Sequence, residues 1–357
     1  MTENLLFVYS LFFAASLAFS LVVNRFLLKF SRNLGIRNTG ETIIRWSSTS
    51  KPALGGISFY IIFLFSIIII SFLHSGERGF FNLQTLGILV AVTIGFLAGL
   101  FDDAYNTRPW IKFFSQVLCG LILIFTGTYV EIFNNDLLNY GLTLFWVVGM
   151  MNSINMLDNM DGITTIVSMA IAVTIFAGLF LRNELQNPVL IIVLGLMAVL
   201  LAFLYYNWNP SKMYMGDTGS QFLGILLAVL GIMFYWNGQG FATESTAWMR
   251  FLSVAIIFAL PIIDTTTVFY KRIAKGGSPF VGGKDHTTHH LSYLGLNDRG
   301  VAMIFAGISL VSFFMAVSLT HFISNYKVLH HIVFGAYFLV LFVFLFTVGN
   351  MNKNKSE

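Results

Sequence analysis

The stretch "NSINMLDNMDGI", residues 152–163, holds three Asn and two Asp in a chain that is 57% hydrophobic and only 10% charged. It follows the apolar run "YGLTLFWVVGMM" (140–151) and leads into "ITTIVSMAIAVTIFAGLF" (163–180). Apolar runs of roughly 18 residues or more are long enough to cross a bilayer as helices. Amides and carboxylates are costly inside hydrocarbon, so a polar cluster wedged between two such runs calls for a site.

The same alternation extends over all 357 residues. Thirty-eight Phe and a mean hydropathy of +0.79 exceed what a soluble domain of this size carries. About eleven spans are expected, near 5–28, 54–73, 84–101, 112–128, 141–154, 163–181, 188–206, 220–236, 250–269, 301–321 and 328–349. The fold class is therefore all-α and polytopic. The first run is too long for a signal-peptide core and reads as a helix. The single Cys119 lies within the fourth span, where packing is its expected role.

Lys and Arg set the expected orientation. Eleven spans put the termini on opposite faces, and only Arg78, Arg182, Arg250 and Lys327 of the 20 basic residues fall on one of them. The richer face reads as cytoplasmic, with the N-terminus outside and the C-terminus inside. The net charge of +4 follows from this asymmetry and points to no nucleic-acid partner.

Four polar constellations collect on the basic face. In "GLFDDAYNTRPWIK" (99–112), Asp102 and Asp103 are adjacent like charges, which a cation between them would relieve. The plainer reading is a helix cap and turn. In "NSINMLDNMDGI", Asn155, Asp158 and Asp161 share one face if helical, suited to Mg²⁺ or to a base or sugar. In "YYNWNPSKMYMGDTGSQFLG" (205–224), Asp217 stands between two glycines ahead of a span; it either caps that helix or serves a ligand. The loop "KRIAKGGSPFVGGKDHTTHHLSYLGLNDRG" (271–300) is basic and Gly-rich, with His286, His289 and His290, a composition suited to phosphate. The His spacing does not suit zinc. Carboxylates for a metal, with cations and glycines for phosphate, suggest Mg²⁺-dependent phosphoryl chemistry.

The residues resemble the polyprenyl-phosphate N-acetylhexosamine-1-phosphate transferases. The resemblance rests on "KPALGG", "FDD", "NMLDNMDG", "NWNPSKMYMGDTGS", "PIID" and a His-bearing last loop, in that order, over nearly the whole chain. It implies a single integral-membrane transferase domain, 1–357, in a bacterial cytoplasmic membrane. Its expected reaction moves a sugar phosphate, most simply N-acetylglucosamine-1-phosphate, from a UDP-N-acetylhexosamine to undecaprenyl phosphate and releases UMP. Mg²⁺ or Mn²⁺ is the implied cofactor. Membrane lipid is an implied partner, and a homodimer is left open.

By the same resemblance, Asp102, Asp103 and Asp158 are expected to be catalytic, and Lys112, His289 and His290 to bind phosphate. Asp161, Asn207 and Tyr214 would bind the nucleotide, with Tyr214 stacked on uracil. Asp217 and Asn155 would hold the metal. The chain departs from the family in two places. "NTGETIIRWSSTSKPALGG" keeps only Arg45 and Lys51 onward of the first-loop pattern, and the last loop reads Thr287-Thr288-His289-His290 with His286 displaced by one. Two other readings stay open: a phospho-N-acetylmuramoyl-pentapeptide transferase, and an anion transporter in which Asp264 couples an ion within the membrane.

Overall fold

The computed structural model describes residues 2–31, 51–73, 82–278, 283–323 and 327–350. Their regular structure is helical, and the only β-type pairing among the described residues is one isolated bridge. In chain order the helices are α1 (Thr2–Ser31), α2 (Gly55–Leu73), α3 (Leu83–Tyr105), α4 (Pro109–Phe125), α5 (Asp136–Leu157), α6 (Ile163–Leu181) and α7 (Val189–Asn207). They continue as α8 (Gly216–Gly231), α9 (Ala247–Ile257), α10 (Ala259–Ala274), α11 (Thr287–Tyr293), α12 (Asp298–Val317) and α13 (Val328–Asn350).

Every expected span falls on a helix, with two departures. Among the described residues nine helices are long and apolar enough to cross a membrane, or ten if α9 and α10 count as one span. α9 and α10 bend by 79° at Phe258. Pro261 sits in the first turn of α10, where its missing N–H has no intrahelical duty, and it ends the continuous helix there. The other departure is α4, whose 17 residues fall short of a full span. α5 runs further than its apolar part suggests and carries Asn152 and Asn155 on its last turns. Asp158 is its C-terminal cap, and Gly162, at φ 80°, turns the chain into α6.

The centre of the molecule is α8. From Gly216 to Trp236 the span is almost wholly buried, and α2, α3 and α5 enclose it. Two glycines permit that closeness. A Cβ on Gly56 of α2 would lie 2.2 Å from the Gly219 nitrogen, and one on Gly99 of α3 would lie 2.2 Å from the Asp217 carbonyl oxygen. Backbone therefore meets backbone on both sides of the first turn of α8. The "KPALGG" segment adds strand-like bonds to the same turn. Tyr214 N donates to Pro52 O, Gly55 N to Tyr214 O and Gly56 N to Met215 O, each at 3.0 Å. Cys119 is buried in α4 against the Ala91 carbonyl, the packing role expected of it.

Replacing Gly56 by Ala forces a methyl into the α8 backbone. Overpacking of this kind costs about 1–3 kcal/mol. The expected result is a melting temperature several degrees lower in detergent, followed by intrinsic fluorescence.

Candidate active site

Helix ends and loops from all four sequence constellations surround one cavity of about 780 Å³. Its wall includes Asp102, Asp103, Lys112, Asn155, Asp158, Asp161, Tyr214, Asp217 and His289. Nine of the eleven residues singled out by the sequence thus meet, although they are drawn from α3, α4, α5, α8, α11 and the loops between. Asn207 and His290 do not line it.

Lys112 is the hub. Its ammonium donates to Asp217 Oδ1 at 2.7 Å, to Asp102 Oδ2 at 3.1 Å and to Asn155 Oδ1 at 3.2 Å. Asn155 Nδ2 donates to Asp217 Oδ1 and to Ser220 Oγ. Asp102 Oδ1 accepts from the Thr107 backbone (2.9 Å) and hydroxyl (2.6 Å). Pro109 starts α4 directly after this turn, which places Lys112 on the helix's first turn facing α3.

The two aspartates of "FDD" have different duties. Asp103 caps α8 from a distance: Oδ1 accepts from Asp217 N at 3.0 Å, and Oδ2 from Thr218 N at 2.8 Å and Thr218 Oγ1 at 2.6 Å. Both oxygens are given to the first turn of α8, whose own N-cap, Met215, supplies no side-chain bond. Asp103 thus lines the cavity and also aims Asp217. The capping expected of Asp217 itself is performed by Asp103.

Asp161 and Asn207 are likewise more structural than the sequence suggested. Asp161 accepts from Ser211 N (2.9 Å), Ser211 Oγ (2.7 Å) and Asn209 Nδ2 (3.1 Å), with Lys51 Nζ at 3.7 Å. It reaches the cavity but chiefly shapes the 209–211 loop. Asn207, 2% exposed, accepts from Gly162 N and Thr165 Oγ1 and donates to the Met213 carbonyl. All of this lies behind the wall, so a nucleoside contact for Asn207 is corrected to a clamp between three chain segments.

The last loop is fastened by a second remote carboxylate. Asp264 Oδ1 accepts from Thr287 N (2.8 Å) and Thr287 Oγ1 (2.6 Å), while Oδ2 faces His286 Nδ1 at 2.9 Å. Arg272 adds a two-pronged pair to Asp285, at 2.8 and 2.7 Å. Asp264 is therefore occupied in holding α11, which removes the ion-coupling role on which the transporter reading relied. His286 and His289 face the cavity; His290 is buried beside Tyr293. Burial, and then the neighbouring His286, pushes the His289 imidazole down to about 3. Burial and then Lys271 push His290 down to about 4. Both rings are neutral near pH 7, so His289 can offer phosphate one N–H but no charge. His290, buried and off the wall, is not placed for phosphate at all.

Residues the sequence did not assign complete the wall. Lys51 donates to Ser211 Oγ at 2.9 Å and stands 5.1 Å from the centre of the Tyr214 ring. Asn209, Arg272, Lys284, His286 and Asp298 are also present, and Gln116 and Asn152 continue the polar surface between α4 and α5. Gln116 stands one turn beyond Lys112 on the same helix face, the one periodic signal that could have found it. Arg45 lies outside the described residues.

Similarity to known proteins agrees with this geometry. The glycosyl transferase family 4 profile matches residues 85–235, from α3 through the end of the α8 span. A Bacillus subtilis protein named a probable undecaprenyl-phosphate N-acetylglucosaminyl 1-phosphate transferase is 29% identical, over 75% of this chain and 72% of its own. A Mycobacterium leprae decaprenyl-phosphate N-acetylglucosaminephosphotransferase is 28% identical, over 74% and 72%. These comparisons support the resemblance to the polyprenyl-phosphate N-acetylhexosamine-1-phosphate transferases. A Streptococcus agalactiae phospho-N-acetylmuramoyl-pentapeptide-transferase is also 28% identical, over 71% of this chain and 78% of its own. The family profile covers Asp102, Asp103, Lys112, Asn155, Asp158, Asp161, Asn207, Tyr214 and Asp217, but not the last loop.

The donor set suits the divalent cation that the family resemblance implied. Six carboxylates line the cavity (Asp102, Asp103, Asp158, Asp161, Asp217, Asp298) against four cations (Lys51, Lys112, Arg272, Lys284). Burial, and then the charges of Asp217, Asp103 and Asp161, pushes Asp158 from 3.8 up to about 8. The described residues contain no group of three or more acidic, His or Cys side chains arranged to hold an ion alone. Mg²⁺ usually takes one or two carboxylates and completes its shell with substrate phosphate and water, so this set fits.

The raised value gives a pH dependence. Folding favours neutral Asp158, so its contribution is intact below about pH 4 and is lost as pH rises toward 8. In EDTA, Asp158→Asn is expected to melt higher than wild type at pH 8, by a few degrees. The gap should narrow steadily toward pH 5 in a thermal-shift series.

Proposed function

We propose that this protein transfers N-acetylhexosamine-1-phosphate, most simply N-acetylglucosamine-1-phosphate, from a UDP-sugar to a polyprenyl phosphate such as undecaprenyl phosphate. UMP is released, and the product is a polyprenyl-diphosphate sugar. The observation that carries this reading is the single cavity at the helix ends, where Lys112 joins Asp102, Asn155 and Asp217, with Tyr214 on the same wall. The names of the relatives support the acceptor and the sugar. We place the cavity on the cytoplasmic face of a bacterial cytoplasmic membrane, because the basic residues gather on that side.

Asp217, with Asn155 Oδ1, would hold Mg²⁺ together with the donor's diphosphate. Bound there, the ion neutralises phosphate charge and orients the attacking and leaving oxygens. Lys112 adds a positive charge beside the same phosphates. The acceptor phosphate is largely dianionic near neutral pH, with a second pKa of about 6. It can attack the sugar-bearing phosphorus directly: that P–O bond forms, the bond to UMP breaks, and UMP leaves with the electron pair. The positions of the "FDD" pair favour this route over a covalent aspartyl intermediate. Asp102 is held by Thr107 and Lys112, and Asp103 by the first turn of α8. Phe113 and Phe269 give the cavity an apolar flank on which a prenyl chain can lie.

For the base, the aromatic face of Tyr214 is the natural platform, and Lys51 beside it supplies a donor for a uracil carbonyl. The relatives also include a phospho-N-acetylmuramoyl-pentapeptide-transferase, so the donor is the variable to test.

Purified protein incubated with undecaprenyl phosphate, Mg²⁺ and a panel of UDP-sugars should release UMP with UDP-N-acetylglucosamine; no UMP from any donor would sink the proposal. Asp217→Asn should lower turnover by about 10²-fold or more, near 3 kcal/mol.

Tyr214→Phe should be nearly silent. Tyr214→Leu should raise the UDP-sugar KM by roughly 10- to 100-fold while the acceptor KM holds, since stacking is worth about 1–3 kcal/mol. An unchanged donor KM in folded Tyr214→Leu would reject stacking.

A further inference from the structure

Lys112 has three N–H donors, and the site supplies three acceptors for them. The shortest contact, 2.7 Å, goes to Asp217 Oδ1, which also accepts from Asn155 Nδ2. The carboxylate that the transfer reading gives to a divalent cation thus already carries a full positive charge at hydrogen-bond distance. Two cations on one carboxylate oxygen repel each other strongly where water is scarce, and the Lys112 side chain is only 16% exposed. Asp102 offers Lys112 a second hold. Oδ2 accepts the ammonium at 3.1 Å, while Oδ1 is occupied by Thr107 and fixes the carboxylate's direction. The four-carbon stem of a lysine is flexible enough to release one partner and keep another.

We infer that Lys112 is a placeholder cation: it occupies Asp217 in the resting site, competes there with the divalent ion, and when displaced turns toward the donor phosphates while tethered by Asp102. The inference rests on the phosphotransfer reading of Asp217. It has two consequences. In the resting site Lys112 screens Asp102 and Asp217 from each other, so the approach of α3, α4 and α8 is not opposed by bare like charges. During loading, freeing Lys112 from Asp217 makes its charge available where the donor diphosphate brings two negative charges shared over four non-bridging oxygens, so cation and nucleotide bind best together. A static ion pair with no exchange would have the first consequence but not the second.

The test is Mn²⁺ binding to the full chain in detergent without nucleotide, read by electron paramagnetic resonance of free Mn²⁺. Removing the competitor should tighten binding: Lys112→Met is expected to bind Mn²⁺ on the order of tenfold more tightly than wild type. Lys112→Arg keeps the charge and should stay near wild type. Asp217→Asn should lose most of the binding. Should Lys112→Met fold poorly, Lys112→Gln, neutral but still hydrogen-bonding, is held to the same expectation. A folded neutral variant that binds Mn²⁺ no better than wild type, while Asp217→Asn loses it, overturns the placeholder role and leaves the metal reading standing. Wild-type Mn²⁺ affinity in Asp217→Asn overturns both.

Discussion

The bond from Asp103 to the first turn of α8 organises the molecule. A helix start leaves backbone N–H groups without intrahelical partners, and α8 begins at the cavity wall with no side-chain bond from its own N-cap, Met215. Asp103 takes the Asp217 and Thr218 amides and the Thr218 hydroxyl onto its two oxygens. Because the carboxylate comes from the end of α3, the cap also fixes α3 against α8. Gly56 and Gly99 let the backbones meet on either side, and the Pro52–Gly56 segment pairs with 214–215. Asp217 is thereby aimed into the cavity by its own backbone amide.

Around that cap the protein gathers more acid than base. A buried excess of carboxylates is unfavourable unless cations or protons offset it. Lys112 offsets Asp102 and Asp217, Lys51 sits beside Asp161, and Asp158 is left favouring its protonated form in the absence of other cations. Such a site is poised for ligands bearing both signs. A divalent ion relieves the acid excess, and phosphate oxygens engage the lysines once they are released. Placing the cluster at helix ends keeps the charges near water while the apolar spans remain in the bilayer.

The last loop repeats the device used at α8. Asp264, one residue type and one geometry apart from Asp103 only in location, accepts from the amide and hydroxyl of Thr287 at the start of α11 and adds His286. In both cases an aspartate on a long helix caps a neighbour that carries a functional side chain, Asp217 in one and His289 in the other. The bend between α9 and α10 at Phe258 brings Asp264 under the loop, and Arg272, further along α10, pins Asp285.

Composition and periodicity determined the helical class, the span positions and the side on which polar residues gather, because the cost of charge in hydrocarbon is written into one-dimensional spacing. Motif order determined which residues would meet, and nine of the eleven did. The division of labour among them was decided only by tertiary structure. Adjacent Asp102 and Asp103 are indistinguishable in sequence, yet successive residues on a helix point about 100° apart, so one faces Lys112 and the other the end of α8. Asn207 could have faced a ligand or a turn with equal chemistry, and its neighbours at Gly162, Thr165 and Met213 decided for the turn. Lys51 and Arg272 had no individual role in the sequence, and the fold sets both on the cavity wall. A hydrogen bond's partner is a matter of three-dimensional direction, and direction is what a residue's place in the chain does not contain.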